Sequence, residues 1–154
     1  MPASRACDLP HADLTMKVIG CFFDVARHLG YGFAEKVGVR ALQITLTDAG
    51  LEALIGVPLT VAYKGRTIGD FYADLVVNRT VLIEVKATAA IEDYAKAQIL
   101  NYLKCAGGGV GLLLNFGKSA EFRRYVVGDP ENSLPLLRPH LDRLRGRDIR
   151  PVSV

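Results

Sequence analysis

The sequence predicts an α/β fold, a mixed central sheet with flanking helices, from three observations. Gly69 to Lys86 (GDFYADLVVNRTVLIEVK) is a pair of β-branched and aromatic runs broken by Asn78-Arg79-Thr80, which is the pattern of a hairpin. Val110 to Phe116 (VGLLLNF) is a continuous apolar run, as a strand covered on both faces requires. Between them, Ala89 to Ala106 repeats apolar residues at helical spacing. Strand, helix and buried strand in succession make a βαβ crossover, which places the 110–116 strand parallel to the 81–87 strand.

Taken in order, residues 1–12 read as a lead-in. Asp13 is placed to cap a helix running to Leu29, where Gly30 stops it, and Val18, Ile19, Phe22, Val25, Ala26 and Leu29 form its apolar stripe. His28 near its end reads as a dipole contact or a solvated residue. A second helix is expected over Phe33–Thr47, with Glu35, Val39, Leu42 and Leu46 on one side. Gly38 inside it costs about 1 kcal/mol relative to alanine. Leu51 to Leu59 matches no single pattern. Val57 to Tyr63 reads as a first strand, and Lys64-Gly65-Arg66 as the turn into the hairpin. The 89–106 helix turns Ile91, Tyr94, Ala95, Gln98, Ile99, Tyr102 and Leu103 inward and leaves Glu92 and Lys96 as an exposed i,i+4 pair. Gly107-Gly108-Gly109 ends it and is no phosphate loop, because no Lys-Ser/Thr follows. Phe122–Val127 is a last strand carrying Arg123 and Arg124, candidate contacts for a nucleic acid. The main domain is therefore drawn at 13–128. From Asp129 a basic extension rich in proline and arginine runs to 154. Arg138, Arg143, Arg145, Arg147 and Arg150 could meet phosphates there, and a short helix is expected within 134–144.

Three charges inside the apolar hairpin need explanation: Asp74, Glu84 and Lys86. Each costs several kcal/mol in a strand interior unless it has a partner. Strand alternation puts Glu84 and Lys86 on one face. A three-residue loop at 78–80 pairs Val77 with Val81, and so Asp74 with Glu84; a two-residue loop would pair Asp74 with Ile83. With the odd loop, two carboxylates oppose each other and a cation is expected between them. Such oxygen ligands suit Mg²⁺ or Mn²⁺.

At 154 residues and 50% hydrophobic, the chain is long and apolar enough for one ordinary core, and its net charge of +3 permits an anionic partner without arguing for one. No apolar run approaches a membrane span, and MPASRACDLPHAD lacks a signal core, so a cytoplasmic protein with no membrane partner is expected. The three cysteines, Cys7, Cys21 and Cys105, are too far apart for a zinc pattern and read as reduced thiols.

Asp74, nine residues, then Glu84-Val85-Lys86 on a hairpin resembles the PD-(D/E)XK nuclease superfamily, with Ala73 where the name has proline. Gln98 and Tyr102 on the following helix resemble the Q-x-x-x-Y signature of the RecB-like branch. The order is also similar to the bacterial GxxExxY family. Its Gly-x-x-Glu helix corresponds to Gly32–Glu35, and its YKG, IGD and ADL segments to Tyr63–Gly65, Ile68–Asp70 and Ala73–Leu75. Gln98–Leu103 and Gly111–Phe116 complete the match. The tyrosine that closes that family pattern is Gly38 here.

The resemblance implies a three-layer restriction-endonuclease-like fold and Mg²⁺- or Mn²⁺-dependent hydrolysis of DNA phosphodiesters. Asp74 and Glu84 would hold the ion with the Val85 carbonyl. Lys86 would act on the attacking water and the phosphorane charge. Glu35 would add an outer or second-metal contact, Gln98 would position Lys86 or the substrate, and Tyr102 would support the site or touch the nucleic acid. Many nucleases of this class pair two sites, which makes a homodimer compatible with the reading. The alternative keeps the fold as a catalytically idle module that binds nucleic acid or a protein partner.

Overall fold

Hydrophobic alternation along the central strands divides the protein into layers. In the computed structural model, which describes residues 9–145, the chain order is α1 (Ala12–Leu29), α2 (Glu35–Asp48), β1 (Ala53–Tyr63), β2 (Arg66–Val77), β3 (Val81–Lys86), α3 (Asp93–Cys105), β4 (Gly109–Phe116), β5 (Ala120–Val127) and α4 (Arg138–Leu144). The five strands form one sheet in the order β1-β2-β3-β4-β5. The β3–β4 pair is parallel and the other three pairs are antiparallel, so the sheet is mixed, as expected. Val81, Ile83 and Val85 point to one core, with Val18, Phe22 and Val25 of α1 and Val39, Leu42 and Leu46 of α2. Leu82 and Leu113 point to the other, with Ala95, Ile99 and Leu103 of α3. Every residue of β4 is buried, which is why its sequence is apolar on both faces. Leu134, Leu137 and Leu141, from the stretch read as a basic extension, are buried in the α3-side core.

Several boundaries differ from the sequence expectation. The α1 N-cap is His11, in a left-handed conformation, and Asp13 lies in the first turn. The His11 ring instead bonds the Pro130 carbonyl at 2.8 Å, tying the helix start to the C-terminal segment. His28 lies in the last turn of α1 and donates to the Asp24 carbonyl. β1 begins at Ala53, within the unassigned stretch; Gly56 and Pro58 obscure it, and proline is tolerated because β1 is an edge strand. α3 starts at Asp93, not Ala89, and Tyr94, read as inward, is 76% exposed. Among the described residues, Cys21 and Cys105 are free thiols, and no helix is long and apolar enough to cross a membrane. Cys7 lies outside them.

The hairpin register is the expected one. Val77 pairs with Val81, Val76 with Leu82 and Leu75 with Ile83. Asn78 and Arg79 both take positive φ and the Thr80 N–H bonds the Val77 carbonyl at 3.0 Å, a type I′ turn whose twist suits the strands. Asn78 also receives the Glu52 N–H on its side chain and gives its own N–H to the Glu52 carbonyl, which locks the turn to the start of β1.

Candidate active site

Regular β2–β3 pairing stops at Leu75 and Ile83, and the next residues on each strand are Asp74 and Glu84. There the acids replace the ladder. The Asp74 N–H donates to Glu84 Oε1 at 3.3 Å, and the Val85 N–H donates to Asp74 Oδ2 at 2.8 Å. Each carboxylate is therefore held by the backbone of the opposite strand. On β1, Gly56 lies opposite Asp74, bracketed by the pairs Ile55↔Leu75 and Val57↔Ala73, with φ of 66°. Alternation breaks at this point: Leu54 and Val57, three apart, enter the same core, as do Ala73 and Val76. A left-handed glycine permits such a kink at little cost. The kink turns the outer half of the β1–β2 ribbon toward α3 and sets the two acids at the bend.

Glu84 is 4% exposed, and neither acid has a Lys or Arg within salt-bridge distance among the described residues. Burial first, and the Asp74 charge second, push the Glu84 carboxyl up to about 8. Burial also raises Asp74, against the pull of its bond from Val85, and the charge of Glu35 raises it further. Glu35 is the exposed first residue of α2, so the helix start brings a third carboxylate toward the pair.

Lys86 follows two residues after Glu84 on the same face. Its Nζ donates to Gln98 Oε1 at 2.6 Å, and Gln98 Nε2 donates to the Tyr102 hydroxyl at 3.1 Å. The ammonium is a donor only, so it dictates which end of the amide faces it. The Tyr102 oxygen then accepts, and its own proton is free to be donated outward. Burial, followed by the Glu84 charge, raises the Tyr102 hydroxyl. The i,i+4 spacing of Gln98 and Tyr102 on α3 is what aligns this relay.

The two β5 arginines part company. Arg123 pairs with Leu113, which pairs with Glu84, so all three share the α3 face; Arg124 pairs with Leu112 on the opposite face. Burial lowers the Arg124 guanidinium, and its Nη1 has no hydrogen-bond partner. Of the C-terminal arginines, Arg138 bonds Asn132, Arg143 contacts His140 and Arg145 lies 3.8 Å from Glu52. Arg147 and Arg150 lie outside the described residues.

Asn115 was not singled out by sequence reasoning. It pairs with Lys86 across β3–β4, is fully buried, and exchanges bonds with Thr88: the Thr88 N–H donates to Oδ1 at 3.0 Å and Nδ2 donates to the Thr88 carbonyl at 2.9 Å. It fixes the backbone just after Lys86. The signal was present, a lone polar residue in an otherwise apolar run. Asn115→Ala would strand two Thr88 backbone groups and is expected to cost about 1–3 kcal/mol, read as a lower urea midpoint.

The two carboxylates are oxygen donors of the kind a hard divalent ion takes, and the Lys86 ammonium beside them is a fixed positive charge, not a ligand. Among the described residues no group of three His, Cys, Asp or Glu side chains converges as a metal cage. The charge of half-buried Asp74 and buried Glu84 is what such an ion would neutralise.

One solved structure, the crystal structure of SSO0001, is similar over 92% of this chain and 96% of its own, at 11% identity and a TM-score of 0.39. That likeness is too distant to argue from. No curated protein matches. A family model for the PD-(D/E)XK nuclease superfamily matches residues 12–125, from the start of α1 to within β5, and includes every residue of the site just described. With a mixed sheet between helical layers and the paired acids at the hairpin's opening, the chain belongs to the PD-(D/E)XK nuclease superfamily.

Proposed function

We propose that this protein is a Mg²⁺- or Mn²⁺-dependent nuclease that hydrolyses DNA phosphodiester bonds, similar within its superfamily to the RecB-like branch and the GxxExxY family. The observation that carries the reading is the couple of half-buried Asp74 and buried Glu84, with no Lys or Arg in salt-bridge distance among the described residues, beside an ammonium held by Gln98. Asp74, Glu84 and the Val85 carbonyl would hold the ion, which when bound would neutralise phosphate oxygens and generate a nucleophile near neutral pH. Lys86, fixed by Gln98, holds positive charge where the phosphorane develops negative charge and orients the attacking water. Tyr102, with its proton free, donates to a phosphate oxygen. Glu35 supplies an outer carboxylate from α2. Arg123 extends the site's face across two strands, about 10 Å from Glu84 at ordinary strand spacing. Arg124 would meet nucleic acid only on the other side of the sheet.

The test is incubation with plasmid, linear and single-stranded DNA in Mg²⁺, in Mn²⁺ and in EDTA, with Lys86→Ala in parallel. Cleavage is expected with the metals only, and about 10²-fold slower or worse in the variant. Cleavage that survives Lys86→Ala would come from a contaminant and remove the enzyme reading. Metal binding without cleavage in the wild type would favour the idle module.

A further inference from the structure

The outer half of the β1–β2 ribbon carries large side chains that the fold does not bury. Tyr63, Phe71 and Tyr72 are all exposed, Tyr72 by 61%. Lys64 and Arg66 flank the turn at the tip, and Lys64 Nζ lies 5.3 Å from the centre of the Tyr63 ring. Exposed aromatics grouped on one protruding element call for a partner, whereas single ones do not.

Their positions relative to the site are specific. Phe71 lies 6.0 Å from the Tyr102 ring, and Tyr102 ends the relay from Lys86. Tyr72 is two residues before Asp74 on the same strand. Phe33, also exposed, is two residues before Glu35, whose charge reaches Asp74. Phe71 faces α3, and Tyr72, its neighbour on the strand, faces the opposite side, so exposed rings stand on both faces of the ribbon beside Asp74, with Phe33 near Glu35. From Asp74 to Arg66 the ribbon spans about 26 Å at strand rise.

The chemistry favours one partner over another. Duplex DNA hides its base faces and is held through many phosphate contacts. This ribbon offers two cations at its tip, an acid at Asp70, and rings between them and the site. Rings of this kind bind unpaired bases by stacking. We propose that the ribbon, with Phe33, is a stacking platform that feeds a single-stranded nucleic acid to the Asp74–Glu84 site. The proposal rests on the nuclease reading for the chemistry, though the binding it predicts does not require cleavage.

Binding is measured in EDTA with the full chain, by anisotropy of labelled oligo(dT), oligo(U) and a duplex. Single strands are expected to bind more tightly than duplex. Tyr72→Ala is expected to weaken single-strand binding about 5- to 150-fold, with Tyr72→Phe close to wild type. With two or three phosphate contacts, log K should fall against log[salt] with a slope near −2 on single strands. The oligo(dT) and oligo(U) arms distinguish a DNA strand from an RNA strand. Single-strand binding that depends on Tyr72 but is never followed by cleavage would sink the nuclease reading and leave the platform standing. Metal-dependent cleavage of duplex, with single-strand binding indifferent to Tyr72→Ala, would overturn the platform and leave the nuclease. Loss of a dimer in sedimentation on Tyr72→Ala, with oligonucleotide binding unchanged, would make the ribbon a self-association surface and also overturn it.

Discussion

Glu84→Gln is expected to make the protein more stable at pH 8 while lowering the metal-dependent cleavage proposed above about 10²- to 10³-fold, the scale of losing one preorganised charged group. Burial and the neighbouring Asp74 charge raise the Glu84 carboxyl from 4.5 to about 8. A carboxyl raised by folding binds a proton more tightly in the native state than in the unfolded chain. Between those two values the native state holds more protons, so stability falls as pH rises and the penalty is complete above about 8. Asp74, also raised, works in the same direction. The Glu84 shift alone costs on the order of 5 kcal/mol at high pH, or roughly 10–20 °C in Tm for a chain of this size. Glutamine keeps the shape, removes the charge, and its amide can donate to Asp74. The wild type should therefore lose Tm from pH 5 to 8 far more steeply than the variant. Mg²⁺ should recover part of the loss at pH 8 in the wild type, by about 2.7 kcal/mol at a hundredfold excess over Kd, and recover little in Glu84→Gln. Equal pH slopes in the two proteins would show that the carboxyl is solvated, and the metal-site argument would go with it.

Local rules reach the hairpin and stop short of its surroundings. The register that opposes Asp74 and Glu84 is set by a turn of three residues and by strict alternation on either side, both written in adjacent residues. The Gln98–Tyr102 pair is likewise a matter of helical spacing. The kink at Gly56 is harder to read, because a glycine and Pro58 inside a strand weaken every local strand signal, while the reason for them lies in α3 packing on the turned ribbon. Tyr94 shows the converse error: its spacing fits the inner stripe, but it sits in the first turn of α3 and is exposed. Arg123 and Arg124 could be placed on one strand from sequence, yet only the pairing with β4 shows which of them shares a face with Glu84. Asn115 depends on Thr88, 27 positions away, and no periodicity reports such a partner.

Filling position 38 is expected to destabilise the protein, by about 1–2 kcal/mol for Gly38→Ala and about 3 kcal/mol or more for Gly38→Tyr. Two effects compete. Alanine in a helix interior gains about 1 kcal/mol over glycine. Against this, a Cβ at 38 would sit 2.7 Å from both Cδ2 and Cε2 of Phe116, well inside normal contact. The ring has little room to retreat, since Phe116 is 7% exposed and Phe22 meets it edge-on at 4.9 Å. Overpacking of this kind costs about 1–3 kcal/mol and exceeds the propensity gain. The glycine that departs from the GxxExxY pattern is thus the residue that lets α2 lie against the end of β4. Moving α2 outward would also carry Glu35, one turn before, away from Asp74, so cleavage should fall along with stability. A double-mutant cycle in urea separates the terms. In a Phe116→Ala background the obstructing ring is gone, and Gly38→Ala should become neutral or stabilising by about 1 kcal/mol, with a coupling of about 1–3 kcal/mol between the sites. Stabilisation by Gly38→Ala in the wild-type background would mean that propensity outweighs the ring contact and that the helix approaches β4 less closely than the 2.7 Å separation requires.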